Sequence, residues 1–209
     1  MGDFTSIGVV GEILKKLLEI NLRDTFLDSF TSPDSITLLS PKEMEGSSSK
    51  SISVFLYQIT ENAFMKNQPI EPIEAGQLKY PPLALNLYYL LTPYAGEETE
   101  PIKGWDLHTI LGRAMQVLYD NATLEGPALL HILQEIHREE YYEKIGQIRI
   151  ILDPLSLDDL TKIWNSLDTT LRLSVCYEVR VIMIESERKK ETQRIVEKNT
   201  DYYQIKGRT

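Results

Sequence analysis

The sequence predicts an α+β (α/β) fold, a single mixed β-sheet flanked by helices, with an extended arm closing the chain. Three observations lead there. Four separate stretches carry apolar residues at three- and four-residue spacing, as helices with one buried face do. Two of the intervening stretches, SISVFLYQIT and PPLALNLYYLLTPY, are apolar at both parities, which is the pattern of strands covered on both sides. The last two dozen residues, SERKKETQRIVEKNTDYYQIKGRT, are charged and hold two small apolar islands, too little to build a core.

The first helix runs from Ser6 to about Phe30, where Ile7, Val10, Ile13, Leu14, Leu17 and Leu18 make the apolar stripe and Lys15, Lys16 and Glu19 lie between them. Ser6 is placed to cap it. Ser32-Pro33 ends it, because proline disfavours helical geometry in the preceding residue. The short apolar run ITLL then leads into SPKEMEGSSSK, whose glycine and serines predict an exposed, mobile loop. In the strand that follows, Ile52, Val54 and Leu56 share one face and Phe55, Tyr57 and Ile59 the other.

After a polar, proline-containing connector, Pro81-Pro82 opens a second central strand at a point where missing ladder donors cost little. There Leu83, Leu85, Leu87, Tyr89 and Leu91 alternate with Ala84, Asn86, Tyr88 and Leu90. Helical spacing returns between Trp105 and Asp120, with Leu107, Ile110, Leu111, Ala114, Met115 and Leu118 on one stripe and His108, Arg113 and Gln116 off it. PALLHILQEIHREE predicts another helix, with proline in its first turn. QIRIILDP is a short strand, LSLDDLTKIWNSL a helix capped by Ser156 with Asp158 and Asp159 in its first turn, and SVCYEVRVIMIE a long strand. No internal repeat indicates a solenoid.

At 209 residues the chain fits one large domain. Against 22 Lys and Arg stand 31 Asp and Glu, a formal charge of −9 that repels phosphate backbones and anionic membrane surfaces. No nucleic acid is expected as partner, and no direct membrane insertion, since no apolar run approaches the length of a membrane span. The N-terminal MGDFTSIGVVGEILKKLLEI has no basic lead before its apolar part and so does not read as a signal peptide. MGDFTS and Asn121-Ala122-Thr123 fit lipidation and glycosylation templates in form only. A soluble product, cytoplasmic on synthesis, is the expectation. Cys176, the single cysteine, sits in an apolar run with no partner for a disulfide or a thiolate metal site.

The search for chemistry finds no catalytic set, no cofactor motif and no metal motif. His131 and Glu135 lie one helical turn apart, but His137, six residues on from His131, points elsewhere, and His108 is on another helix. A zinc-protease helix needs two histidines four apart. Adjacent acids, Asp158-Asp159 and Glu139-Glu140, diverge on a helix and cannot converge on one atom; helix-start acids explain the first pair. Gly8 and Gly11 sit inside the first helix, not in a phosphate loop. Cys176 has no local base. Asn86, in the middle of an apolar strand, is expected to have its amide satisfied by a neighbouring loop backbone. The sequence therefore does not read as an enzyme.

SVFLYQITEN, PPLALNLYYLLTPYA, HTILGRAMQVLYDN, LSLDDLTKIWNSL and SVCYEVRVIMIES, in this order and at these separations, resemble the N-terminal domain of the cap proteins of contractile injection systems. These phage-tail-like particles include the Photorhabdus virulence cassette and the antifeeding prophage. The resemblance covers nearly the whole chain to about Ser186. It implies a phage tail-terminator-like domain over residues 1–186. It further implies a structural role: six copies in a ring on the distal end of the particle, meeting the inner tube and sheath proteins and stopping their growth. No cofactor belongs to such a role. The resemblance also implies assembly in the cytoplasm, as part of a particle that is then released or attached to a membrane. Some family members carry an additional C-terminal domain, which this chain stops too early to hold.

Residues 187–209 are then expected to form a C-terminal arm. Its islands Arg194, Ile195 and Val196 and Tyr202, Tyr203 and Ile205 are strand-compatible and suited to adding onto an exposed sheet edge of a neighbouring cap or sheath subunit. The competing functions are a small-molecule or peptide-binding α/β module that uses a cleft beside the sheet, and a hydrolase with an unrecognised site.

Overall fold

The computed structural model of the chain describes residues 3–26, 35–45, 50–66, 69, 71–74, 77–95 and 103–191. The chain divides into two compact units, Met1–Asn67 with Pro82–Glu185, and Gln68–Pro81 with Ser186–Thr209.

The first unit contains α1 (Ser6–Thr25), β1 (Ile36–Thr37) and β2 (Lys50–Glu61). The second unit takes β3 (Glu71–Glu74) and β4 (Gln77–Lys79). The chain returns to the first unit with β5 (Leu83–Ala95), α2 (Lys103–Asp120), β6 (Thr123–Glu125) and α3 (Gly126–Glu135). A 3-10 turn, Glu139–Tyr141, leads into α4 (Tyr142–Ile145), then β7 (Gln147–Asp153), α5 (Leu157–Ser166) and β8 (Val175–Ile184). β9 (Lys189–Glu191) belongs to the second unit.

Six strands of the first unit form one sheet in the order β1-β2-β5-β8-β7-β6, with β1 parallel to β2 and the other neighbours antiparallel. It is the single mixed sheet that the pattern predicts. The two strands read as central, β2 and β5, pair along nearly their whole length. Helices cover one face fully and the other in part, over Leu90, which is why β5 carries apolar residues at both parities. Leu85, Leu87, Tyr89 and Leu91 join Val10, Ile13, Leu17 and Leu18 of α1 and Ile110, Ala114 and Leu118 of α2 in the large core. On the opposite face Leu90 packs with Cys176 and with Trp164 of α5. Each such side chain, withdrawn from water, contributes about 1.5–3 kcal/mol before chain entropy is set against it.

Three local expectations are corrected. Thr5, not Ser6, occupies the N-cap of α1 and makes no side-chain cap; Ser6 lies inside the first turn and is buried. The helix ends at Thr25, since Phe26 leaves helical geometry with φ −121° and ψ 57°, while Ser32-Pro33 lies outside the described residues. α3 stops at Glu135 rather than continuing through HREE. His137 takes the left-handed conformation at φ 55°, the His137 amide bonds the Gln134 carbonyl at 3.1 Å, and the Arg138 amide reaches back to Leu133 at 2.9 Å. Those two bonds make a Schellman C-cap.

A bulge between Leu56 and Gln58 shifts the register of β2 against β5, so that Ile59 pairs with Leu87 instead of continuing the Phe55 face. Beyond the bulge Ile59 is 45% exposed, and β2 is not covered to its end. Of the loop SPKEMEGSSSK, residues 41–45 form turns and 46–49 lie outside the described residues. Gly11 answers to packing: a Cβ there would come within 3.1 Å of Leu38. β6 and α4 were not legible from the pattern, each being four residues or fewer.

In the second unit, β3, β4 and β9 make a three-stranded antiparallel sheet, and the Arg188 guanidinium lies 4.7 Å from the centre of the Tyr80 ring.

Candidate functional site

Cys176, Glu178 and Arg180 of β8 alternate with Val175, Tyr177 and Val179, and those three face the large core. Cys176, Glu178 and Arg180 therefore share the opposite face. Register extends that face across the sheet in rows. Leu90, Cys176 and Asp153 stand side by side, then Gln58, Tyr88, Glu178 and Ile151, and Arg180 stands opposite Arg149, which in turn faces Thr123. Thr60 and Asn86 are partners at the same end.

Half of this face is closed. α5 covers the Leu90–Cys176 row through Trp164, whose indole N–H donates to Ser174 at 3.2 Å. Beyond it, Tyr94 donates to the Pro41 carbonyl at 3.3 Å and carries Arg172 over its ring at 5.4 Å. Lys42 pairs with Asp168 at 2.8 Å, and Thr169 bonds Glu45. The Tyr88 and Arg180 rows have no described helix over them; Gln58, Arg149, Ile151 and Arg180 are exposed.

Beneath this open half runs a buried polar chain. The Asn62 side-chain oxygen accepts from the Phe64 and Met65 amides, and its NH2 donates to Asn86 Oδ1 at 3.0 Å. Asn86 Nδ2 donates to Glu178 Oε1 at 2.8 Å, and the Tyr88 hydroxyl donates to the same oxygen at 3.1 Å. Arg180 closes on the other carboxylate oxygen at 2.6 Å. The Asn86 amide is thus satisfied by side chains, and the loop backbone expected to satisfy it is reached one step later, through Asn62. A carboxylate as buried as Glu178 is tolerable when hydrogen-bonded and paired in this way.

The neighbouring groups are tuned toward their neutral forms. Burial, reinforced by Glu178, pushes the Asp153 carboxyl up against the pull of Arg180. Burial also pushes the Tyr57 hydroxyl up, with Cys176 and Asp153 adding to it. The Cys176 thiol is pushed up to about 11, again mainly by burial. A thiol held that high supplies almost no thiolate at neutral pH and is a poor nucleophile.

His108, His131 and His137 are all exposed and are not brought together. Among the described residues no group of three or more His, Cys, Asp or Glu is placed to hold a metal ion. No described helix is long and apolar enough to cross a membrane. Ser156 caps α5 as expected: its hydroxyl accepts from the Asp159 amide at 3.2 Å and donates to the Asp159 carboxylate at 2.7 Å, while Lys162 pairs with Asp158 and Asp159. A cavity of 180 Å³ lies beside this helix, lined by Met115, Leu152, Asp153, Leu155, Leu160 and Val175. It is smaller than the roughly 300 Å³ at which ligand pockets begin.

Arg194, Ile195, Val196, Tyr202, Tyr203 and Ile205 lie outside the described residues. The residues that sequence reasoning missed are Arg149, Glu178 and Arg180. Their signal was present as charges inside an otherwise apolar strand pattern. Their convergence depends on the pairing of β7 with β8, which no single strand encodes.

A family model described as the Pvc16 N-terminal domain matches residues 9–198. Two solved structures share the fold. One is a sheath/tube terminator of an extracellular contractile injection system, PVC, in its extended state, at TM-score 0.55 and 16% identity, covering 92% of this chain and 64% of that one. The other is the tube terminating cap of the anti-feeding prophage, at TM-score 0.58 and 18% identity, covering 92% of this chain and 60% of that one. The chain thus spans somewhat under two thirds of the length of either. No curated protein sequence matches it significantly.

Proposed function

The chain belongs to the Pvc16 N-terminal domain family, and on that premise we propose that it is a structural, non-enzymatic cap of a phage-tail-like contractile injection system. In this reading copies of the chain form a ring that ends the inner tube and outer sheath at the distal tip. The observation that carries it is the family match across residues 9–198, and the likeness of fold to a sheath/tube terminator and a tube terminating cap supports it. The cap's partners are other copies of itself, six to a ring, and the tube and sheath proteins it stops. It is made and assembled in the cytoplasm as part of a particle that is released or held at a membrane.

A closed ring needs two different patches on each subunit, so that rotation closes it instead of extending a filament. A sheet with helices on one face and a half-open second face offers two such patches. The division into a cap domain over residues 1–186 and an arm over 187–209 belongs to the same proposal. β9 would root the arm, and residues 192–209, with the Arg194–Val196 and Tyr202–Ile205 islands, would reach the edge of a neighbouring subunit.

Electron microscopy of particle ends tests the reading. Particles assembled without this chain are expected to be uncapped, unstable or aberrantly long. Particles of normal length with closed ends would overturn it. Truncation after Ser186 tests the arm separately, since unchanged capping and length control would remove the arm from the proposal.

A further inference from the structure

Phe64 is 98% exposed, the most exposed large apolar side chain among the described residues. The turn that carries it is nonetheless fixed. Asn62, buried at its base, accepts from the Phe64 and Met65 amides, donates its own backbone amide to the Ala84 carbonyl at 2.8 Å and is tied through Asn86 to Glu178. Lys66, in the same turn, pairs with Glu61 at 2.9 Å. A phenyl ring held in water on a turn already ordered keeps its burial free energy for a partner, with little loop ordering to set against it.

The cavity beside α5 is of a size to take such a ring. An apolar cavity of about 150 Å³ binds benzene, and this one holds 180 Å³. Met115, Leu152, Leu155, Leu160 and Val175 form its apolar lining, and Leu152, 47% exposed, opens it to solvent. The Ser174 hydroxyl in the lining is already engaged, accepting from the Trp164 indole and donating to the Arg172 carbonyl, both at 3.2 Å. An apolar occupant therefore strands no donor there, and the Met115 thioether offers an aromatic ring a favourable contact.

Ring and cavity lie at opposite ends of the first unit's sheet. The Phe64 turn hangs from Ala84 at the start of β5, whereas Val175 of the cavity stands opposite Leu91. The strand from Ala84 to Leu91 measures about 20 Å, further than a phenylalanine side chain reaches. One copy's Phe64 therefore cannot enter its own cavity, but a second copy's can.

We propose that Phe64 of one copy of this chain inserts into the cavity beside α5 of the next, so that copies associate head to tail. The inference rests on the ring reading above and places its two contacts at the two ends of the sheet. Each copy gives its ring to one neighbour and its cavity to the other, and the rotation between copies closes the row. An apolar knob suits a chain whose net charge of −9 is the same on every copy and repels.

Sedimentation equilibrium of the full chain tests the proposal. Wild type is expected to self-associate, and no less at ~500 mM than at ~50 mM salt, because salt screens the repulsion between copies and not the apolar contact. Phe64→Ser, which removes the ring from an exposed position, and Leu152→Arg, which puts a charge at the cavity mouth, should each weaken association more than about tenfold. The two variants mixed in equal amounts retain one intact contact, the Phe64 ring of the Leu152→Arg variant entering the cavity of the Phe64→Ser variant. The mixture should form heterodimers that grow no further. Thermal midpoints near that of wild type verify that each variant folds. A wild type monomeric at both salts, association indifferent to either substitution, or a mixture that stays monomeric would overturn the pairing. So would uncapped particles from Phe64→Ser with self-association intact, which would assign the ring to the tube or sheath instead. None of those results would touch the capping role itself, which the ends of particles lacking the chain decide.

Discussion

Asn86 donates its side-chain amide to the Glu178 carboxylate at 2.8 Å, linking the middle of β5 to the middle of β8 beneath an open sheet face. Glu178 also accepts from the Tyr88 hydroxyl at 3.1 Å and pairs with Arg180 at 2.6 Å. Its removal strands three donors at once, two of them buried or half-buried. Glu178→Ala is therefore expected to cost about 2–3 kcal/mol in urea unfolding, because stranded buried donors forfeit their solvation. Glu178→Gln, which keeps an acceptor oxygen but loses the charge, should cost about 1 kcal/mol. If alanine proved as mild as glutamine, the chain would be decoration and not a fixed floor.

Tyr89 presents the reverse case. Its ring belongs to the large core, its hydroxyl is buried without a hydrogen-bond partner among the described residues, and that burial pushes its ionisation up. Tyr89→Phe removes an unsatisfied group and leaves the ring in place. Stability should be unchanged or raised by up to about 1 kcal/mol. Unfolding midpoints of the two proteins at equal slope would measure it, and a loss of similar size would mean that the hydroxyl is bonded in solution.

How much of this was legible can be traced through β5. Its two apolar parities predicted a strand covered on both sides, and α1 with α2 on one face and, in part, α5 on the other cover it. Ser156 with Asp159 was legible because capping is local, decided within four residues. Ser6 failed as a cap because its neighbour Thr5 takes that position and Ser6 is drawn into the core, a choice made by packing and not by propensity. The HREE end of α3 failed because a left-handed His137 is an uncommon helix stop with no glycine to announce it. The Arg149–Arg180 juxtaposition was beyond reach for a different reason. It requires the register of two strands separated in sequence by α5, and register is a property of the assembled sheet.

That left-handed residue yields a third prediction. An L side chain at φ 55° costs roughly 1–2 kcal/mol that glycine avoids. His137→Gly preserves both closing hydrogen bonds, from His137 to Gln134 and from Arg138 to Leu133. The substitution should stabilise the protein by about 1 kcal/mol, less what glycine adds to the entropy of the unfolded chain. His137→Val, β-branched at the same φ, should destabilise it. Equal midpoints for the two variants would show that the α3 stop is not held at this residue.

The last prediction concerns alkaline pH. Burial raises Cys176 from its ordinary 9.0 to about 11, and Tyr177 and Tyr94 from 10.0 to about 12. Each folded group thus keeps a proton that the unfolded chain gives up earlier. Between the two values the unfolded state binds fewer protons, so unfolding becomes easier as pH rises. The share that these three groups supply is fully present below 9.0, starts to fall there as the unfolded thiol ionises, and is spent near 12. For Cys176 alone the loss is of order 2 kcal/mol. Urea midpoints measured across that window should decline, and the first part of the decline should be shallower in Cys176→Ala, whose starting stability is lower because a buried side chain has been cut back. The thiol of the folded wild type should stay inert to thiol reagents at pH values below its raised one and react on unfolding, because Leu90, Trp164 and Tyr57 enclose it. A flat alkaline limb together with a readily titrated thiol would place Cys176 at the surface and contradict the packing of α5 on the sheet.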